Sequence, residues 1–407
     1  MENTYLKNRN LLISSFTVNK LAETIFYLTI IWYIYDVTKS SIATTFYSII
    51  TIISSVFLGP VVGVFAERRS PKTVVHYCFI FLCVTTFILA FLFYLEVSYL
   101  LFFIYLFTFI NTVLTMTSSI SKGRLIGQIA PTKSIPQLSG LITSFSSVSS
   151  MVGNAIAGFL LVAIGYSGII LIQSGSYLFS VILIVFIFVT IEKQPTQNDA
   201  SSSQKPNFFK ELIDGIKEFR KNRPVFKLII IGSMINILSI GSALLVVLIQ
   251  EQYHAGAGKY GLFHAAGTIA TLIVGLSAGK LLKNNRPGIM FAICLFSVGT
   301  SMLLISTTTN FWIGTVWFMI IAFAEVLMLV SIHSMLIILV EEKFRARVMS
   351  LAMSISNIFM PIGMLFNAFI SDYFAIKYVF LIVGIWTLIW AMVTLLTKDI
   401  RNLIFDH

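Results

Sequence analysis

The chain has 407 residues, of which 57% are hydrophobic and only 11% are charged. A soluble protein of this length cannot bury so many apolar side chains, so the composition excludes a soluble enzyme or binding domain and indicates an integral membrane protein. The net charge of +11 does not indicate a nucleic-acid partner, because the cations lie in short breaks between apolar runs, which is typical of membrane topology.

Twelve runs of about 20 or more mostly apolar residues are each long enough to cross a bilayer as a helix. We number them spans 1 to 12. They predict an all-α integral membrane protein with twelve transmembrane helices in two six-helix bundles. In chain order the spans cover residues 11–35, 41–64, 74–95, 98–121, 137–163, 168–191, 227–250, 260–282, 288–307, 311–337, 348–371 and 378–397.

The lysines and arginines between the spans are concentrated in alternate breaks. The opposite breaks hold only Lys39, Lys259 and Lys377. By the positive-inside rule this asymmetry predicts a multi-pass protein of the plasma membrane with both termini and the long middle segment in the cytoplasm.

The middle segment divides the spans into six and six. We therefore expect an N-terminal bundle at residues 1–191, a cytoplasmic linker at 192–226 and a C-terminal bundle at 227–407. Residues 194–207 are polar and predict a flexible stretch. In residues 208–223, apolar positions recur at helical spacing opposite charged ones, which predicts an amphipathic helix at the membrane interface. Two repeated halves around a linker are typical of secondary transporters.

Span 1 carries a polar stripe on an otherwise apolar helix. Glu23 lies near its middle, and Asn19, Lys20 and Tyr27 lie three or four residues away on nearly the same face. Ionisable groups in a bilayer are costly and usually face a cavity or a partner. We therefore predict that Glu23 and Lys20 take part in proton or substrate coupling and that Asn19 and Tyr27 line a cavity. A purely structural Lys20–Glu23 pair is the alternative.

The break between spans 2 and 3 reads GVFAERRSPK, residues 63–72. A glycine at position 63 allows two helices to approach closely. A carboxylate at position 67 suits the N-terminal end of a neighbouring helix, where the helix dipole favours negative charge. The stretch resembles the Gly-x-x-x-Asp-Arg-x-Gly-Arg-Lys signature of the major facilitator superfamily. The matching residues are Gly63, Glu67, Arg68 and Lys72.

The stretch departs from that signature at three positions, where Glu67 replaces aspartate, Ser70 replaces glycine and Pro71 replaces arginine. The resemblance implies a transporter of two six-helix bundles that binds substrate near the membrane midplane. It also implies that this motif acts as a cytoplasmic gate through a contact with span 11. A solvated basic loop that only sets the topology is the alternative.

Polar and small residues mark spans 4, 5 and 7. Asn111 and Thr115 in span 4 and Asn236 in span 7 lie on polar stripes that we interpret as cavity-lining, although such residues also serve helix packing. Span 5 reads SSMVGNAIAGF, and its Gly153 and Gly158 predict a helix-packing motif. Asn154 stands where an antiporter-type motif commonly has proline.

Three further ionisable residues lie within apolar spans. Glu325 is central in span 10 and has no cation within four residues, so we expect it to be able to carry a proton. His264 in span 8 and His333 in span 10 are candidates for the same coupling, with a hydrogen-bonded packing role as the alternative.

Residues 341–374 carry a second resemblance. A basic pair is followed by Val-Met-Ser-Leu and later by Pro361, Ile362 and Gly363. This order resembles the start of span 11 in the macrolide-efflux and enterobactin-exporter branch of the superfamily. The resemblance implies that Pro361 and Gly363 belong to a helix-packing motif and that the protein exports a small molecule.

These features predict a secondary active transporter that exports a small amphipathic molecule by proton antiport. The molecule is a drug such as a macrolide or a secreted metabolite, and Glu23 and Glu325 bind the protons. A dedicated siderophore or metallophore exporter and a proton-coupled nutrient importer are the alternatives. We expect a monomer whose partners are a small-molecule substrate, protons and the lipid bilayer. The sequence shows no catalytic constellation, metal-ligand spacing or Walker-type loop, so we expect no enzyme activity, cofactor, metal or nucleic acid.

Overall fold

Helices make up nearly all of the residues that the computed structural model describes. It describes residues 2–67, 69–131, 134–188, 223–283, 286–340, 356 and 359–402, and these ranges contain no strand. The predicted all-α fold is therefore confirmed. The predicted amphipathic helix at 208–223 lies almost entirely outside the described residues.

The first six predicted spans form five continuous helices. The last of these holds two spans, because it bends at Gly165, where φ is 68° and ψ is −176°. A glycine occupies this position because its missing Cβ permits a positive φ. The helices are α1 (Glu2–Thr38), α2 (Ser41–Glu67), α3 (Pro71–Tyr94), α4 (Leu100–Ile129) and α5 (Ile135–Val185).

The second half of the chain contains the remaining spans, and span 7 is interrupted. The segments are α6 (Arg223–Asn236), α7 (Ser242–Val247), a π-helical turn (Leu248–Gln252), α8 (Ala257–Lys283), α9 (Pro287–Thr307), α10 (Phe311–Leu339), α11 (Met360–Tyr373), α12 (Ile376–Leu396) and a short α13 (Lys398–Arg401).

These segments correspond to the twelve predicted spans when α5 is counted as two spans and α6, α7 and the π-helical turn as one. Several predicted boundaries are wrong. Helix α4 continues to Ile129 rather than ending at residue 121, and α5 ends at Val185 rather than at residue 191. Span 7 is broken after Asn236. The sequence analysis did not predict this break, because hydropathy reports how apolar a stretch is and not whether its backbone is helical. By length and composition, seven helices in the described residues qualify as membrane-spanning.

The chain divides into two compact units. One comprises Met1–Glu192 with Ala255–Ala265, and the other comprises Lys193–His254 with Ala266–His407. The beginning of α8 therefore packs with the first unit, and the rest of α8 belongs to the second.

Each unit has its own apolar core. In the first unit, Leu12 and Phe16 of α1 pack with Phe79 and Leu82 of α3 and with Leu125 of α4. In the second unit, the core joins α6, α9, α10 and α12, with Phe291, Leu295, Met335 and Ala391 fully buried. Large apolar side chains such as Phe57 and Tyr94 are exposed on the outside of the helices, which fits a surface that faces lipid.

Polar contacts tie helix ends together at one end of the first unit. Lys72 Nζ donates to the carbonyl oxygens of Val185 at 3.1 Å and Ile187 at 2.7 Å, at the end of α5. A cation there satisfies carbonyls that have no partner within the helix. Asn8 of α1 also pairs with the backbone of Phe188, donating to its oxygen at 2.6 Å and accepting from its N–H at 3.0 Å. These contacts hold the end of α5 against α1 and the start of α3.

Candidate functional site

The first unit contains a cavity of about 590 Å³ between helices α1 to α5, which we call the N cavity. Five residues that the sequence marked as functional line it: Lys20, Glu23, Tyr27, Asn111 and Thr115. The polar stripes of spans 1 and 4 therefore face the same space.

Lys20 and Glu23 form an ion pair in the N cavity. The Lys20 Nζ and Glu23 Oε2 atoms are 3.3 Å apart, and the two side chains are 41% and 47% exposed. Because both groups reach solvent-accessible space, the pair contributes only modestly to stability. Each charge is nevertheless compensated by the other within the cavity.

Asn19, although it is only four residues from Glu23, is not among the described residues that line the N cavity. It is buried. Its Nδ2 donates to Ser180 Oγ at 2.5 Å, and its Oδ1 accepts from Ser176 Oγ at 3.1 Å. These contacts to α5 make Asn19 a packing residue of the α1–α5 interface, where a buried amide needs such partners.

The second unit contains a cavity of about 440 Å³, which we call the C cavity. Three predicted functional residues line it: Glu325, His333 and Asn236. Most of the other lining side chains are leucine, isoleucine, valine, methionine or phenylalanine from α6, α9, α10 and α12. Among the described lining residues, Glu325 and His333 are the only ionisable ones.

Glu325 differs from Glu23 in its surroundings. Within the described parts of the chain, no cation lies within ion-pair distance of its carboxylate and no hydrogen bond reaches it. Its side chain is exposed to the cavity. A carboxylate with apolar neighbours and no compensating charge is well suited to change its protonation state with its environment.

The interruption of span 7 forms part of the wall of the C cavity. Leu238, Ser239 and Ile240, which follow α6, all line it. Breaks of this kind are tolerated in membrane helices where other groups satisfy the freed backbone. Here the fully buried Asn367 of α11 donates its Nδ2 to the carbonyl oxygens of Leu238 at 3.2 Å and Ser239 at 3.1 Å.

Helix α11 approaches the same break very closely. A Cβ atom placed on Gly363 would lie 1.9 Å from the carbonyl oxygen of Ile237. Pro361 occupies the first turn of α11, where a missing N–H does no harm. At the end of α6, Asn236 Nδ2 donates to the carbonyl oxygen of Ser356 at 3.0 Å.

The glycines of span 5 also lie at close helix contacts, both within the first unit. A Cβ atom on Gly153 would lie 3.0 Å from the carbonyl oxygen of Leu21 in α1. One on Gly158 would lie 2.0 Å from the carbonyl oxygen of Ala257 at the start of α8. Small residues permit such approaches between membrane helices.

His264 and the motif between α2 and α3 lie away from the described lining of both cavities. The ring of His264 packs edge-on against Tyr260, with 4.7 Å between centroids. Gly63 has open space around its Cβ position. Arg68 and the side chain of Glu67 lie outside the described residues, as does the start of span 11, so the gate role stays a prediction.

One half-buried cation was missed by the sequence analysis. Lys122 Nζ lies 4.5 Å from the ring centroid of Phe16 and 5.0 Å from that of Phe79, a cation–π arrangement. The predicted span 4 ends at residue 121, which puts Lys122 in the break that follows it. Residues 117–129 contain no proline, the residue that interrupts a helix most strongly, and that signal could have placed Lys122 in α4.

Apolar helices with a water-accessible, partly charged cavity in each of two units define a multi-pass membrane transporter. The profile of the Major Facilitator Superfamily matches residues 12–284 and 229–403. The chain belongs to the major facilitator superfamily, and it is therefore a transporter of small molecules rather than an enzyme.

Relatives and solved structures agree with this assignment. Macrolide efflux protein A of Streptococcus pyogenes is 25% identical over 394 residues, with 95% of each chain covered. Macrolide efflux protein A of Enterococcus faecalis is 25% identical over 314 residues, covering 75% of this chain and 94% of that protein.

The nucleoside transporter NupG matches with a TM-score of 0.73 and 16% identity, over 97% of this chain and 98% of NupG. A bacterial homologue of the iron transporter ferroportin in an inward-facing state matches with a TM-score of 0.72 and 14% identity, over 96% and 98%. The two structures show the fold alone.

Proposed function

We propose that the chain exports a small amphipathic molecule, a macrolide or a secreted metabolite of similar character, in exchange for protons. The macrolide efflux proteins that are 25% identical to it over most of its length support the substrate class. The observation that supports proton coupling is the position of Glu325. It lies in the apolar C cavity, and no described cation lies within ion-pair distance of it.

The two mid-span carboxylates have different roles in this proposal. Protonation of Glu325 removes an uncompensated charge from an apolar cavity, so proton binding changes the electrostatic energy of that unit considerably. Protonation of Glu23 would leave the Lys20 ammonium, 3.3 Å away, without its partner. We therefore assign proton exchange to Glu325, and we assign Glu23 with Lys20 to the lining that meets the substrate. The sequence analysis predicted that both carboxylates bind protons, and this proposal keeps that role for Glu325 alone.

The apolar lining of the C cavity suits the apolar part of an amphipathic molecule, because burial of apolar surface supplies most of the affinity in such sites.

His333 lines the same cavity as Glu325 and is the second titratable group there. With both termini in the cytoplasm, as the cation distribution predicts, protons enter from outside and displace substrate that was loaded from inside.

An accumulation assay tests this function directly. Expression of the wild-type chain in a macrolide-susceptible bacterium is expected to lower the steady-state content of radiolabelled erythromycin, because export opposes passive entry. A protonophore is expected to restore the content to that of cells carrying an empty vector. Unchanged accumulation of erythromycin and other macrolides would contradict the macrolide assignment. Raised, protonophore-sensitive accumulation would reverse the direction and favour uptake.

A further inference from the structure

The short helix α13 packs closely against the second unit. Ile400 is fully buried in the apolar core of that unit, together with Val225 at the beginning of α6. The carbonyl oxygen of Ile400 would lie 1.9 Å from a Cβ atom placed on Gly288, in the first turn of α9. Helix α13 therefore joins the beginnings of α6 and α9 at one end of the unit.

Basic residues are concentrated at this junction. They lie at the beginning of α6, immediately before α9 and on α13, and they are Arg223, Lys227, Arg286, Lys398 and Arg401. Within residues 223–236, 286–307 and 398–401, Asp399 is the only acidic residue. Its Oδ2 atom forms an ion pair with Lys227 Nζ. We call the five cations together with Asp399 the basic junction.

Four of the cations in the basic junction have no compensating charge. No ion pair with a described acidic residue involves Arg223, Arg286, Lys398 or Arg401. The first three are exposed and Arg401 is half-buried. The packing of α13 thus collects positive charge from three separate parts of the chain on one surface, and such a surface attracts anions.

Apolar side chains lie directly beside these cations. Met392 and Leu396 are exposed one turn apart on α12, just before Lys398. Ile230 is exposed on α6, one turn beyond Lys227. The basic junction therefore lies at the edge of a surface that faces lipid.

This combination suits an anion that also carries apolar chains. A phosphate diester matches the planar guanidinium groups of arginine, which can donate two parallel hydrogen bonds to its oxygens. Acyl chains suit the exposed apolar side chains of α12. A soluble anion would use only the cations and leave the apolar surface uncovered.

We infer that the basic junction binds the headgroup of an anionic phospholipid, whose acyl chains lie along the outer face of α12. Clusters of lysine and arginine at the ends of membrane helices bind such headgroups in other membrane proteins. This inference goes beyond the proposed function and does not depend on which molecule is transported.

Native mass spectrometry of the purified protein in a neutral detergent tests the inference without any transport substrate. The protein is titrated with phosphatidylglycerol or with phosphatidylcholine of the same acyl chains, and the fraction of protein that retains each lipid is measured. We expect saturable binding with a preference of about tenfold or more for phosphatidylglycerol, because only its headgroup carries a net charge. Inorganic phosphate at the same concentration is expected not to displace it.

Three variants locate the site. Lys398→Gln and Arg401→Gln are each expected to raise the half-saturating concentration of phosphatidylglycerol about fivefold, the effect of one cation near an anionic headgroup. Asp399→Asn is expected to lower it about fivefold, because the change removes the negative charge and releases Lys227. A variant that merely folds poorly would not bind more tightly, so Asp399→Asn keeps the test valid if the other two variants are unstable.

Lys377→Gln is the matched control. Lys377 is exposed in the same unit, but it lies at the beginning of α12, at the opposite end of that helix from Lys398. Its loss is expected to leave the titration unchanged. The inference is overturned if phosphatidylcholine binds as well as phosphatidylglycerol, if inorganic phosphate displaces the lipid, or if Lys398→Gln and Arg401→Gln titrate as Lys377→Gln does.

Discussion

Glu325→Gln is expected to abolish proton-driven transport while leaving the protein folded and able to bind substrate. A proton gradient can bias a transport cycle only through a group whose proton affinity differs between the states of that cycle. Glutamine keeps the size and polarity of the side chain in the C cavity but cannot exchange a proton. Substrate efflux against a gradient is therefore expected to fall about tenfold or more, to the level of membranes without the protein.

Two assays on the same reconstituted sample make this prediction specific. Substrate movement driven by an imposed pH difference is expected to be lost in Glu325→Gln, whereas exchange of labelled for unlabelled substrate at equal pH is expected to persist. Glu23→Gln is the matched control, because it makes the same chemical change in the N cavity, where Lys20 lies 3.3 Å from the carboxylate. It is expected to alter the apparent substrate affinity and to retain the response to the pH difference. Undiminished pH-driven transport by Glu325→Gln would remove Glu325 from the proposal.

Gly363→Ala is expected to destabilise the second unit. The added methyl group would lie 1.9 Å from the carbonyl oxygen of Ile237, which is backbone and cannot rotate away as a side chain would. Either α11 must move outward or the break in span 7 must change its path, and both disturb the contacts of Asn367 with Leu238 and Ser239. Overpacking of this kind costs about 1–3 kcal/mol.

Thermal unfolding in detergent measures this effect, with transport activity as the second readout. The matched control is Gly275→Ala in α8, because a Cβ atom there has nothing within 4 Å. It is expected to be neutral or slightly stabilising, since alanine is the better helix former. Equal unfolding temperatures for the two variants would show that α11 can move to accommodate the methyl group. The close contact between Gly363 and Ile237 would then not constrain the break in span 7.

Features that depend on periodicity and composition could be predicted from the sequence. The membrane spans follow from the length of the apolar runs, and the polar stripe of span 1 does place Lys20, Glu23 and Tyr27 in one cavity. Glu325 could be found because an ionisable residue stands out in an apolar span. These signals are local, because the residues of each one lie in a single helix and helix geometry alone sets their relative positions.

Features that depend on contacts between distant parts of the chain could not be predicted. Asn19 belongs to the polar stripe of span 1, yet its partners Ser176 and Ser180 on α5 make it a packing residue. The break in span 7 depends on Asn367, which lies more than a hundred residues further along the chain.

Proteoliposomes that contain the purified wild-type chain and an internal pH-sensitive dye test the central claim of proton-coupled export most directly. With labelled erythromycin inside and no initial pH difference, the account predicts that substrate efflux drives protons inward, so that the lumen becomes acidic as the label leaves. Loss of the label without any change of luminal pH, with the membrane potential clamped, would contradict proton exchange.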